Sequence, residues 1–150
     1  MINSQSFTWL DLQVNTHRKY QRKKNPKNDF FFALHAGQFL CDRNEFGQAA
    51  DIYTRALHSL PTSFELLFNY ANVLRLARRF EEAEHYYKAA VELKPDDLSA
   101  RLNTGAILHL NGKLAEAERH YLAALQLNPT DSIARSNLEK LRNLKNEPNR

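Results

Sequence analysis

The chain has 150 residues, enough for one domain with a buried core. At 43% hydrophobic and 25% charged, with net charge +4, it is not disordered as a whole, and only 4 Gly and 5 Pro argue against a sandwich or barrel. The single cysteine, Cys41, excludes an intrachain disulfide and a cysteine-based zinc site, and the mean hydropathy of -0.61, with no long apolar run, argues against a membrane span.

Residues 1 to 29 form a basic N-terminal extension, read as flexible or as a short helix. The opening MINSQSFTWLDLQV lacks the charged and continuous apolar regions of a signal peptide. Phe7, Leu10 and Val14 have helical spacing, with Trp9 and Leu12 nearby, and a helix here would cover the apolar edge made by Phe30, Phe31 and Phe32. Residues 18 to 27 contain Arg18, Lys19, Arg22, Lys23, Lys24 and Lys27 and no acid, whereas the rest of the chain is nearly neutral. Such an arm is either a solvated segment or a contact for anionic partners; with Tyr20 as its one interleaved aromatic, nucleic acid is not the expected partner.

From residue 30 the chain repeats every 34 residues. Pro61, Pro95 and Pro129 set the period, and the same register aligns Gly37, Ala71 and Gly105; Leu40, Leu74 and Leu108; Phe46, Phe80 and Leu114; Ala49, Ala83 and Ala117; Tyr53, Tyr87 and Tyr121; and Ala56, Ala90 and Ala124. This pattern resembles the tetratricopeptide repeat (TPR), a helix pair that buries its apolar face only by stacking on its neighbours. The fold class expected is all-α: a TPR solenoid with repeats at 30–63, 64–97 and 98–131, a capping helix at 132–145 and a tail at 146–150. Helices A are expected near 30–42, 64–76 and 98–110, and helices B near 46–58, 80–92 and 114–126. Small residues at positions 8 and 20 let the two helices of a repeat cross closely, and the position-24 tyrosine is read as filling space against the neighbouring repeat. Asn44, Arg78 and the pair Asn111–Gly112 fall in turns, and Asp96, Asp97, Asp131 and Ser132 fall where helix N-caps are wanted. In the last segment Ile133, Leu138, Leu141 and Leu144 keep the helical period while Arg135, Glu139, Lys140 and Arg142 make one face polar, as a cap requires.

No enzyme signature is present, so no catalytic residue, metal site or cofactor is expected. There is no Gly-rich phosphate loop and no zinc-protease motif, and the six histidines show no ligand spacing. Glu81, Glu82 and Glu84 open a helix, where acids complement the helix dipole.

In the TPR family, positions 2, 5, 6, 9, 12 and 13 of the A helices line a concave groove. The resemblance therefore places Gln38, Phe68, Asn72, Arg75 and His109 there, and puts Asn69, Asn103 and Asn137 at one register of successive units. A row of carboxamides can hydrogen-bond the backbone of an extended peptide without reading its side chains, and this row resembles the asparagine ladder in the TPR superhelix of the O-GlcNAc transferases. The carboxylate clamp of chaperone-binding TPR domains maps to Leu34, Gln38, Asn69, Ser99 and Asn103, of which only Asn69 matches, so a chaperone tail is not expected as partner.

The stretch Gly105 to Leu144, chiefly HLNG and SNLEKL, together with HAGQFL and FNYANVLR, is similar to the C-terminal repeats of the transmembrane-and-TPR-containing protein O-mannosyltransferases. That resemblance implies the lumenal, partner-binding tail of an endoplasmic-reticulum transferase linked to cadherin glycosylation and calcium homeostasis, with the catalytic membrane part missing, so that this chain is not itself an enzyme. The alternative is a stand-alone soluble TPR adaptor, cytoplasmic if Met1 is the true start, that binds an extended peptide and uses its basic arm on anionic partners.

Overall fold

The computed structural model describes residues 25–146. Within them the chain forms seven α-helices and no strand: α1 (Pro26–Asp42), α2 (Phe46–Ser59), α3 (Phe64–Leu76), α4 (Phe80–Leu93), α5 (Leu98–Leu110), α6 (Leu114–Leu127) and α7 (Ser132–Asn146). Each helix packs on the next, and α1 also touches α3 as α5 touches α7. The odd-numbered A helices thus form one layer and the even-numbered B helices the other, giving an all-helical TPR solenoid.

The two kinds of helix start differently. Each A helix is capped by a side chain: Asn25 accepts from the Lys27 N–H at 3.1 Å, Ser63 from Leu66 at 3.4 Å, Asp97 from Ala100 at 2.7 Å and Asp131 from Ala134 at 2.7 Å. Asn25 followed by Pro26 starts α1 at residue 26 rather than near 30, so Lys27 stands on this helix instead of in the arm. Asp96 caps nothing, and Ser132 is already helical. The B helices have no side-chain cap; a tight left-handed turn delivers the chain to them. Asn44, Arg78 and Gly112 have φ of 59°, 61° and 74°, and the next N–H, of Glu45, Arg79 or Lys113, donates at 2.8 Å to the carbonyl of Leu40, Leu74 or Leu108. This is the Schellman closure, used three times at 34-residue intervals. Arg78 takes a conformation that suits glycine better, at a cost of about 1 kcal/mol, and its guanidinium lies 5.6 Å above the Phe80 ring.

Leu40, Leu74 and Leu108 are fully buried, each worth roughly 1.5–3 kcal/mol of apolar transfer. The position-24 tyrosines cover the A helix of their own repeat. A Cβ on Gly105 would stand 2.6 Å from the Tyr121 ring, and one on Gly37 would collide with Tyr53 in the same way. Ala71 holds this position in repeat 2, where Tyr87 is fully buried.

The junctions between repeats differ. From α2 to α3 and α4 the contact is aromatic: Tyr53 and Tyr70 have ring centroids 6.4 Å apart, Tyr70 and Tyr86 4.6 Å, and the Thr54 hydroxyl donates to Tyr70 Oη at 3.1 Å. From α4 to α5 and α6 it is ionic. Glu84, 6% exposed, accepts from Lys88 Nζ at 2.8 Å, Lys113 Nζ at 2.7 Å and Asn111 Nδ2 at 2.7 Å, and Lys88 continues to Glu116 at 3.0 Å. Burial opposes the charge on Glu84, but Lys113, Lys88 and Asn111 outweigh it and hold the carboxyl down at about 2. One register further on, Glu118 pairs with Lys145 of α7.

Candidate inner-face peptide groove

The face formed by α1, α3, α5 and α7 carries the residues singled out from the sequence. Asn69, Asn103 and Asn137 stand half-buried at one register on three successive A helices. They are not equivalent. Asn69 Nδ2 donates to the Glu65 carbonyl of its own helix at 2.7 Å, while Asn103 and Asn137 form no side-chain hydrogen bond among the described residues. Two carboxamides of the row therefore keep both donor and acceptor for a ligand, and Asn69 keeps its acceptor.

On α3 the remaining groove residues form one connected group. Phe68 stacks on Phe64 at 5.7 Å and meets the Tyr87 ring edge-on at 5.9 Å. The Tyr87 hydroxyl donates to Asn72 Oδ1 at 2.6 Å and accepts from Arg75 Nε at 3.3 Å. Burial raises the Tyr87 hydroxyl above its ordinary value, and Arg75 partly offsets this. Tyr87 is core, as its sequence position marks it: fully buried on α4, it supports these α3 residues from beneath.

Gln38, exposed on α1, donates to Asp42 Oδ1 at 2.8 Å, and His109 is half-buried in the last turn of α5. Glu65 is neutralised from outside the groove: Lys94 hydrogen-bonds it at 2.9 Å, lies 4.2 Å above the Phe64 ring and holds the carboxyl below its ordinary value. At the positions of the carboxylate clamp, Leu34, Asn69 and Asn103 are half-buried, and Gln38 and Ser99 are exposed. Cys41 is half-buried and desolvation raises its thiol, which disfavours the reactive thiolate.

Arg18, Lys19, Arg22, Lys23 and Lys24 of the basic arm, and the proposed helix around Phe7 to Val14, lie outside the described residues; Lys27 is exposed at the start of α1. Among the described residues no group of His, Cys, Asp or Glu could hold a metal, and no helix is long and apolar enough to cross a membrane. A cleft of ≈ 630 Å³ between α6 and α7 is lined by Leu122, Leu125, Leu138 and Arg142, away from the groove.

Comparison with known proteins corrects one expectation. No curated protein matches the chain. The solved structures it resembles are TPR domains of another kind. The first TPR domain of Spaghetti (RPAP3), bound to the HSP90 peptide SRMEEVD, is 24% identical with a TM-score of 0.76 over 82% of this chain and 97% of that one. The second TPR domain of human RPAP3, in complex with the HSP70 peptide SGPTIEEVD, is 24% identical with a TM-score of 0.74 over 79% and 98%. The first TPR domain of human RPAP3 is 25% identical with a TM-score of 0.72 over 79% and 93%. The expected membership of the O-mannosyltransferases is thereby overturned. HLNG spans the end of α5 and its left-handed turn, and SNLEKL lies within α7, places that any TPR array must fill, so they carry no finer kinship. The lumenal placement, mannosylation and calcium handling rested on that resemblance alone and go with it. The family model of the tetratricopeptide repeat matches residues 36–97 and 77–132, together well over half the sequence, and the chain belongs to this family.

Proposed function

We infer that this protein is a non-catalytic interaction module whose inner face binds an extended peptide. The observation that carries this reading is the pair of uncommitted carboxamides, Asn103 and Asn137, in register on half-buried surface. A backbone presents donors and acceptors in alternation, and a carboxamide matches both without selecting a side chain. Phe68 and Leu102, half-buried at the preceding register, supply apolar surface beside them. That two solved TPR domains of similar fold hold chaperone peptides supports peptide binding in general. A free C-terminal carboxylate is not the preferred feature here, because Leu34, Gln38, Ser99 and Asn103 put no cation at the corresponding positions. The adaptor form of this reading adds the basic arm as a second contact for anionic partners.

The test is retention of a degenerate pool of acetylated, amidated dodecamers on the immobilised protein, read by mass spectrometry. Asn103→Ala combined with Asn137→Ala should lower retention about tenfold, two hydrogen bonds of roughly 0.5–1.5 kcal/mol each, and leave the melting temperature nearly unchanged. A large drop in melting temperature would make the asparagines structural, and unchanged retention would remove them from the site.

A further inference from the structure

We propose that the groove selects peptides by an acidic side chain, which seats on Arg75 with its apolar neighbour against Phe68 and Leu102. This rests on the reading of the inner face as a peptide groove, and adds the chemistry of the residue it prefers.

The argument begins with what Arg75 lacks. It is half-buried in the last turn of α3, and none of the ion pairs among the described residues involves it. A half-buried guanidinium without a counter-ion is available to a carboxylate that a ligand supplies. Its orientation is fixed by the Tyr87 hydroxyl, which donates its hydrogen bond to Asn72 Oδ1 and so turns a lone pair toward Arg75 Nε. This contact uses Nε and leaves the Nη1–Nη2 edge, whose parallel N–H groups match the two oxygens of a carboxylate.

The surroundings agree in sign. Glu65, the acid nearest in sequence on this face of α3, is neutralised by Lys94. Lys140 stands exposed on α7. On α1 the acid Asp42, one helix away from Arg75, accepts from the neutral Gln38 of its own helix. The groove therefore has a positive centre flanked by the Phe64–Phe68 stack, a combination that favours an acidic residue beside an apolar one. Because the cation stands at position 12 and not at the clamp positions, the carboxylate recognised is an internal side chain rather than the chain end.

The probe is three pools of acetylated, amidated dodecamers, degenerate except for one central residue fixed as Glu, Gln or Lys. On wild-type protein the Glu pool should be retained about fivefold over the Gln pool, the ratio expected of one charge-assisted pair. Arg75→Gln should bring that ratio to about one, and Arg75→Glu should invert it in favour of the Lys pool. Tyr87→Phe removes the hydroxyl that aims Arg75 and should lower the ratio while the charge remains, marking Tyr87 as a positioning residue. Arg75→Lys, which keeps the charge and loses the fork, should give an intermediate ratio and guards against misfolding of the other variants. If wild type retains the Glu and Gln pools equally, acid selection is overturned and the peptide groove stands. If it retains no pool, both readings fall.

Discussion

The two junctions between repeats solve one packing problem with opposite chemistry. Where repeat 1 meets repeat 2, Ala50 is buried and Tyr53, Tyr70 and Tyr86 fill the space with rings. Where repeat 2 meets repeat 3, the register of Ala50 holds Glu84, and Lys88, Asn111 and Lys113 close around it. The aromatic junction draws on apolar burial, which hardly responds to salt or acid, whereas the ionic junction depends on keeping a carboxylate charged beside two lysines that are themselves partly exposed. A solenoid is stabilised by nearest-neighbour interfaces, so the second junction should be the one that environment can loosen.

Substitutions at each junction would break or sharpen that contrast. Tyr53→Ala should cost about 3 kcal/mol, since it empties a volume that neither Gly37 nor Tyr70 can refill, and the loss in urea unfolding should be the same at low and high salt. A salt-dependent loss would show that the first junction is not purely apolar. Glu84→Ala should cost about 2 kcal/mol, less than a fully enclosed pair because the lysines can turn to water, and the loss should shrink at high salt. Glu84 is held at about 2, below its ordinary 4.5, so its contribution is whole above that ordinary value and fades as pH falls toward 2. A loss for Glu84→Ala as large at pH 3 as at pH 7 would sink the ionic account.

The smallest effect concerns His120, on α6 in this same junction. Its Nδ1 is buried without a partner, and desolvation first, then Arg101 and Lys88, push it down to about 4. A histidine depressed in the folded state binds its proton more readily when unfolded, so stability is full above about 6.5 and drains as pH falls toward 4. Repeat 1 has Ile52 at this register. His120→Ile should therefore flatten the acid limb and gain about 1 kcal/mol over wild type at pH 5, discounted for partial exposure. Parallel stability–pH curves for the two proteins would exclude His120 as the sensitive group.

The sequence disclosed those features that each repeat must satisfy by itself. Leu40, Leu74 and Leu108, and the alanines at 49, 83 and 117, recur because one helix pair needs them, and a periodic demand is visible as a period. What depended on relations between repeats stayed hidden. Glu84 looked like one of three acids serving a helix dipole; only the stacked structure separates it from exposed Glu81 and from Glu82, which Arg79 binds at 2.7 Å. The position-24 tyrosines do more than their spacing tells: Tyr53 meets Tyr70 of the next repeat, as expected, and also lies on Gly37 of its own, as Tyr121 does on Gly105. The start of α1 was masked because its Asn–Pro cap sits inside a run of lysines, where charge outweighed turn chemistry as a signal. In the groove, the asparagine row was legible as a spacing, but that Asn69 spends its N–H₂ on its own helix is a matter of rotamer.

The left-handed turns at Asn44, Arg78 and Gly112 have a geometric consequence of their own. Three nearly equal φ values, each locked by a 2.8 Å bond, give the turn inside every helix pair the same geometry and hold its two helices in one relation. The inner face is then a ruler with a fixed graduation, one asparagine per 34 residues of chain. Its reach can be lengthened or shortened only by whole helix pairs, because any smaller insertion would shift a mark off the scale.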